Sequence, residues 1–124
     1  PAMDLVEGWK SGGNSCVKAG IKPESFSPAH HINKHTPATL ILGGSKDKIV
    51  NPESAKKFVK DIKELGKLAR YIEYTNKGHK LFERQKGDPH FQATIYFMEV
   101  FLKELGWLDK VISPKATIQT KTFE

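Results

Sequence analysis

Two residues of this chain have the type and setting for proton-transfer chemistry. Asp47 closes the run Leu40-Ile41-Leu42-Gly43-Gly44-Ser45-Lys46-Asp47, and His79 follows Gly78 one helix and one strand later. A carboxylate that accepts a hydrogen bond from one imidazole nitrogen leaves the other nitrogen to take a proton from a nucleophile. The two residues are therefore an acid and a base in need of a third member. Other candidates are weaker. His30, His31 and His35 cluster in sequence, but adjacent histidines point apart in an extended segment. No Asp, Glu or Cys stands near them to complete four ligands, so no metal is expected. The single Cys16 has no partner for an internal disulfide, which leaves the redox compartment and the localisation open.

Asp47 and His79 can meet only if the elements before them run side by side. Ala38-Thr39-Leu40-Ile41-Leu42, closed by two glycines, reads as a strand over about 38–43, buried on both faces as parallel strands are. A helix over 52–65 follows. Asn51 is placed to cap it, Pro52 takes its first position, Glu53 sits at its positive end and Gly66 stops it. Arg70 to Thr75 is rich in aromatic and β-branched residues, with polar ones between them. It predicts a second strand, at a sheet edge or half covered. Asp88-Pro89 then opens a helix over 89–105, with Phe91, Ile95, Met98, Phe101, Leu102 and Leu105 at helical spacing as core. A strand, helix, strand order with such connections makes the two strands parallel. Their carboxyl ends then share one edge, where ligands and chemistry gather in open α/β sheets. Asp47 and His79 both lie just past those ends.

Residues 1–37 hold four of the seven prolines and little periodicity, and read as a loop-rich connection leading into an α/β unit at 38–108. Residues 109–124 read as an extended tail or an added strand, and Trp9 and Trp107 as packing residues. The 124 residues suit one domain with a modest core, and no apolar run nears the roughly 20 residues of a membrane span. The formal charge of +6 first suggests nucleic acid. Lys56, Lys57, Lys60 and Lys63, however, form the wet face of the 52–65 helix. Only two arginines occur, and aromatic and basic residues do not interleave, so no nucleic-acid partner is expected.

Thr36 to Val50, with its "TPATLILGGSKDKIV", resembles the "PPTLILHGTxDxxVP" segment of α/β-hydrolases of the serine esterase and lipase kind. These include acetyl-xylan-esterase-like and prolyl-oligopeptidase-like proteins. The resemblance continues through Tyr74 to His79 and the helix that ends Phe101-Leu102-Lys103-Glu104-Leu105-Gly106-Trp107, covering roughly residues 27 to 108. It implies a partial α/β-hydrolase fold, the C-terminal portion, in which Asp47 orients the histidine and His79 is the general base. The family often has His-Gly where this chain has Gly43-Gly44. It also implies a serine nucleophile in a Gly-x-Ser-x-Gly elbow, and this sequence has none. Gly13-Asn14-Ser15-Cys16-Val17 is the nearest approach, but Val17 stands where the elbow needs glycine, so neither Ser15 nor Cys16 is expected to serve.

The resulting expectation is the C-terminal fragment of a serine hydrolase acting on carboxylic esters. It supplies the acid and base of a Ser-Asp-His triad, with the nucleophile upstream and no cofactor. Ser27-Pro28-Ala29-His30-His31-Ile32 is similar to the lead-in of esterase-like members and favours an ester substrate. A prolyl-oligopeptidase-like peptidase fragment and a non-catalytic binding module are the alternatives. The chain opens with neither an initiator methionine nor the basic and apolar regions of a signal peptide, as a processed product or a fragment would. A strand at 38–43 that belongs mid-sheet would leave one edge uncovered in such a fragment, inviting pairing with another copy.

Overall fold

The computed structural model describes Gly20, residues 22–81 and residues 87–124. Two short 3-10 turns, Pro23–Ser25 and Pro28–His30, lead into the elements β1 (Thr39–Gly44), α1 (Pro52–Glu64), β2 (Ala69–Tyr74), α2 (Pro89–Glu104) and β3 (Thr120–Phe123). β1 and β2 pair in parallel, with Thr39 opposite Ala69 and Gly44 opposite Tyr74, so both strands end at the same level. β3 runs antiparallel to β2, giving the order β1-β2-β3. No helix among the described residues is long and apolar enough to cross a membrane.

Local chemistry accounts for both helix starts. The Asn51 side chain accepts from the Glu53 N–H at 3.0 Å and that of Asp88 from the His90 N–H at 2.8 Å, each just before a proline that has no N–H to satisfy. Gly66 and Gly106 follow the helix ends at φ 70° and 75°, the left-handed region where glycine carries no penalty.

The two sheet faces carry separate layers. On one, Ile41, Ala69 and Tyr71 pack with Ala55, Phe58, Val59 and Ile62 of α1, and Phe123 of β3 packs against that cluster. On the other, α2 lies across β2: the Tyr74 hydroxyl meets Thr94 Oγ1 at 2.8 Å, and the Tyr74 and Phe97 rings stand 6.2 Å apart. Glu99 on α2 accepts from the N–H groups of Ile112 and Ser113, both at 2.8 Å, and so ties down the segment that leads to β3.

Three expectations need correcting. The strand at 70–75 is neither an edge nor half covered, because β3 pairs with its far side and β2 becomes the central, most buried strand. Its polar residues gave the misleading signal, and they are paired. Glu73 lies 3.2 Å from Lys56 Nζ. Arg70 meets Glu104 at 2.8 Å, while its Nε lies 2.7 Å from Glu124 Oε1, an ion pair that is off the hydrogen-bond axis. Second, Met98 is 44% exposed rather than core, because α2 presents it beside β1, whose outer edge has no strand partner among the described residues. With Leu40, Leu42, Phe101 and Leu102 it lines an open apolar cleft of about 320 Å³. Third, Trp107 is 76% exposed and packs no core. Trp9 lies outside the described residues.

Candidate active site

The parallel register delivers the loops after β1 and β2 to one place, and backbone contacts then lock them together. Ser45 N–H donates to the Tyr74 carbonyl at 3.0 Å, and Lys46 N–H to the Lys77 carbonyl at 2.8 Å. Ser45 Oγ accepts from Asn76 N–H at 2.9 Å. Asn76 holds φ 62°, a conformation that asparagine tolerates better than most residues, and this turns the chain toward Gly78. Gly44 makes the approach possible. A Cβ there would run into the carbonyl oxygens of Lys77 and Gly78, which are backbone atoms with little freedom to yield.

Within this frame Asp47 is held on both oxygens. Oδ1 accepts from the N–H groups of Ile49 at 2.8 Å and Val50 at 2.9 Å, closing an Asx turn. Oδ2 lies 3.0 Å from His79 Nδ1. The Asp47 side chain is 9% exposed and that of His79 is 49% exposed, so the carboxylate is covered while the imidazole reaches solvent. Desolvation raises the Asp47 pKa, but the Val50 and Ile49 N–H groups and then His79 outweigh it, and the net value falls below the ordinary 3.8. Asp47 is therefore an anion at neutral pH. An anion on the Nδ1 side favours the tautomer with its proton on Nδ1, which leaves Nε2 as an acceptor.

Asp47 and His79, the two site residues expected from sequence, thus lie together at the carboxyl edge of the sheet. Ser15 and Cys16 lie outside the described residues. Among the described residues no group of three His, Cys, Asp or Glu side chains could hold a metal ion. Sequence reasoning missed Gly44, Ser45 and Asn76 as the parts that clamp the loops. Their only sequence signal is the turn chemistry of Gly-Gly-Ser and Asn-Lys-Gly, which says nothing of a contact between distant loops.

Fold and site together define a partial α/β-hydrolase fold, with three strands between two helices and an acid–base pair at the carboxyl edge. The comparison with known sequences narrows this: the prolyl oligopeptidase family profile matches residues 4–110, and the chain belongs to that family. No curated protein sequence matches the chain. Among solved structures it is similar to esterase 2 of Thermogutta terrifontis phosphorylated by paraoxon, with 29% identity and a TM-score of 0.67 over 73% of this chain. The apo form of that esterase gives 27% identity and a TM-score of 0.69 over 79% of the chain. The form phosphoramylated by tabun, at 24% identity, matches in fold over 89% with a TM-score of 0.70. The chain spans only 35%, 38% and 40% of these three structures, respectively. It corresponds to a C-terminal portion of such a hydrolase.

Two outcomes test this geometry. Gly44→Ala should destabilise the fold by about 2 to 3 kcal/mol. Gly78→Ala, whose Cβ would meet only the Lys46 carbonyl at an ordinary 3.8 Å, should be close to neutral. Urea unfolding of the two variants checks this, and equal effects would contradict the clamp. Asp47 carries a depressed folded pKa, so its contribution to stability is complete above its unfolded value of 3.8 and lost as pH falls through the folded value. The stability gap between wild type and Asp47→Asn should therefore hold from neutral pH down to about 4 and close below it. A gap that persisted in acid would show that the charge of Asp47 is not what stabilises the loop.

Proposed function

We propose that this chain supplies the acid and the base of a serine hydrolase acting on carboxylic esters, with the serine carried by another part of the hydrolase. The observation that carries the reading is the 3.0 Å approach of Asp47 Oδ2 to His79 Nδ1 on an imidazole that is half open to solvent. In this mechanism Nε2 of His79 takes the proton from the serine hydroxyl as its oxygen attacks the ester carbonyl, and Asp47 stabilises the imidazolium that forms. The imidazolium then returns the proton to the departing alkoxide, leaving an acyl-enzyme. Water, deprotonated by the same nitrogen, releases the acid and restores the serine.

An ester substrate is favoured by the Ser27 to Ile32 segment and by the likeness to the Thermogutta esterase. The family profile supports a second reading, a serine peptidase of the prolyl oligopeptidase kind using the same two residues. In a form of the protein that carries the serine, Asp47→Asn should lower kcat by about 10⁴-fold, with His79→Ala at least as damaging. Ester and peptide turnover measured side by side would separate the two substrates. Hydrolysis unchanged in both variants would end the catalytic reading and favour a binding module that has kept only the fold.

The same reading gives the free edge of β1 and the cleft around Met98 a partner. The rest of the hydrolase sheet would continue there, and in the isolated chain a second copy would substitute for it. Light scattering of the chain alone should show a mass that rises with concentration, and a monomer at every concentration would oppose this.

A further inference from the structure

A cavity of about 160 Å³ lies between the acid–base pair and α1, with Asp47 and His79 themselves in its wall. Gly43, Asp47, Val50, Ala55, Tyr71 and Leu81 are among the residues lining it. Two observations set it apart from a packing gap. Tyr71 is 1% exposed, yet among the described residues its hydroxyl has no hydrogen-bond partner. The ring is buried, but the hydroxyl oxygen is not sealed off, and what stays accessible of it lines the cavity as an unused donor and acceptor. The second observation is Gly43. A Cβ there would lie 2.8 Å from both Cε2 and Oη of Tyr71, so the ring reaches the cavity only because residue 43 has no side chain. Glycine leaves the space open and brings the phenol to it.

The size and lining of the space select its ligand. A cavity of about 150 Å³ lined by aliphatic and aromatic side chains holds a benzene-sized molecule. Here Val50, Ala55 and Leu81 supply apolar walls; Asp47, His79 and Asn51 also line the space but are engaged with one another or with the Glu53 N–H, while the Tyr71 hydroxyl has no partner among the described residues. Burial, and then the negative charges of Glu73, Asp47 and Glu53, push the Tyr71 pKa well above its ordinary value, so the hydroxyl keeps its proton and can donate. Asp47 puts a negative charge on the wall, which disfavours a carboxylate, and the aliphatic part of the lining gives an ion no compensating partner.

We propose that this cavity is a binding pocket for a small neutral alcohol of about benzene's bulk, aryl or branched aliphatic, whose oxygen pairs with the Tyr71 hydroxyl. If the ester-hydrolase reading holds, such an alcohol is the class of product the reaction releases, and Tyr71 is then a specificity residue for the alcohol half of the ester.

The test titrates phenol, and separately benzoate, into the 15N-labelled 124-residue chain and follows the amides of Gly43, Gly44 and residue 71. Phenol should shift these amides saturably, and benzoate should bind at least about tenfold more weakly. Tyr71→Phe, which keeps the ring and the fold, should weaken phenol binding by about three- to tenfold. The pocket is refuted if phenol moves none of these amides, if phenol and benzoate bind alike, or if Tyr71→Phe binds phenol as well as wild type does. Binding is read here without turnover. A chain with no hydrolytic role would still show the pocket, and a failed titration would leave the Asp47–His79 relay standing.

Discussion

The backbone of Gly44 lies against the carbonyls of Lys77 and Gly78, and the arrangement of the site depends on that contact. Parallel pairing brings Gly44 level with Tyr74, but level strand ends alone would leave the two loops free to diverge. The hydrogen bonds from Ser45 N–H, Lys46 N–H and Asn76 N–H fix their separation. Each of these is worth about 1 kcal/mol. Their larger effect is geometric, because they set the distance over which a carboxylate must reach an imidazole. Only a residue without Cβ allows the carbonyls so close.

The layers on either side hold this edge in place. α1, begun by Asn51 directly after the acid loop, anchors that loop to the core through Ala55, Phe58, Val59 and Ile62. β2, covered by α2 on one face and α1 on the other, is flanked on its far side by β3. The C-terminal strand therefore bears on the site at one remove. Ion pairs from Arg70 to Glu104 and Glu124, and the two N–H groups held by Glu99, fasten it to the same strand that delivers His79. The contrast with β1 is plain: among the described residues its outer edge is unpaired and its neighbouring apolar side chains are open, as suits a portion of a larger sheet.

Much of this was legible in the sequence because it rests on local chemistry. Asn51-Pro52 and Asp88-Pro89 announce their helices, Gly66 and Gly106 end them, and the apolar run before Gly43-Gly44 marks β1. Asp47 and His79 could be paired because a strand-helix-strand order dictates that strand ends meet. What could not be read depends on contacts between distant segments. Thr120 to Phe123 carries little apolar signal, so the sequence leaves an extended tail and an added strand both open, and the edge that β2 offers decides for the strand. Arg70 and Glu73 looked like solvent-facing residues because their partners, Glu104, Glu124 and Lys56, are distant in sequence. Met98 fits the helical period and is nonetheless exposed, since periodicity identifies an apolar face without saying what covers it. Gly43 and Gly44 read as one loop signal, although each answers to a different close approach, one to a tyrosine ring and one to two carbonyls.

The central claim is that Asp47 fixes the imidazole of His79 with its proton on Nδ1 and so leaves Nε2 to act as a base. Long-range 1H–15N correlation of the His79 ring, recorded at a pH where the imidazole is neutral, tests it directly. Nδ1 should appear protonated and Nε2 unprotonated in the wild type, and Asp47→Asn should move the ring toward the opposite tautomer. A wild-type ring carrying its proton on Nε2, or one that Asp47→Asn leaves unchanged, would contradict the account.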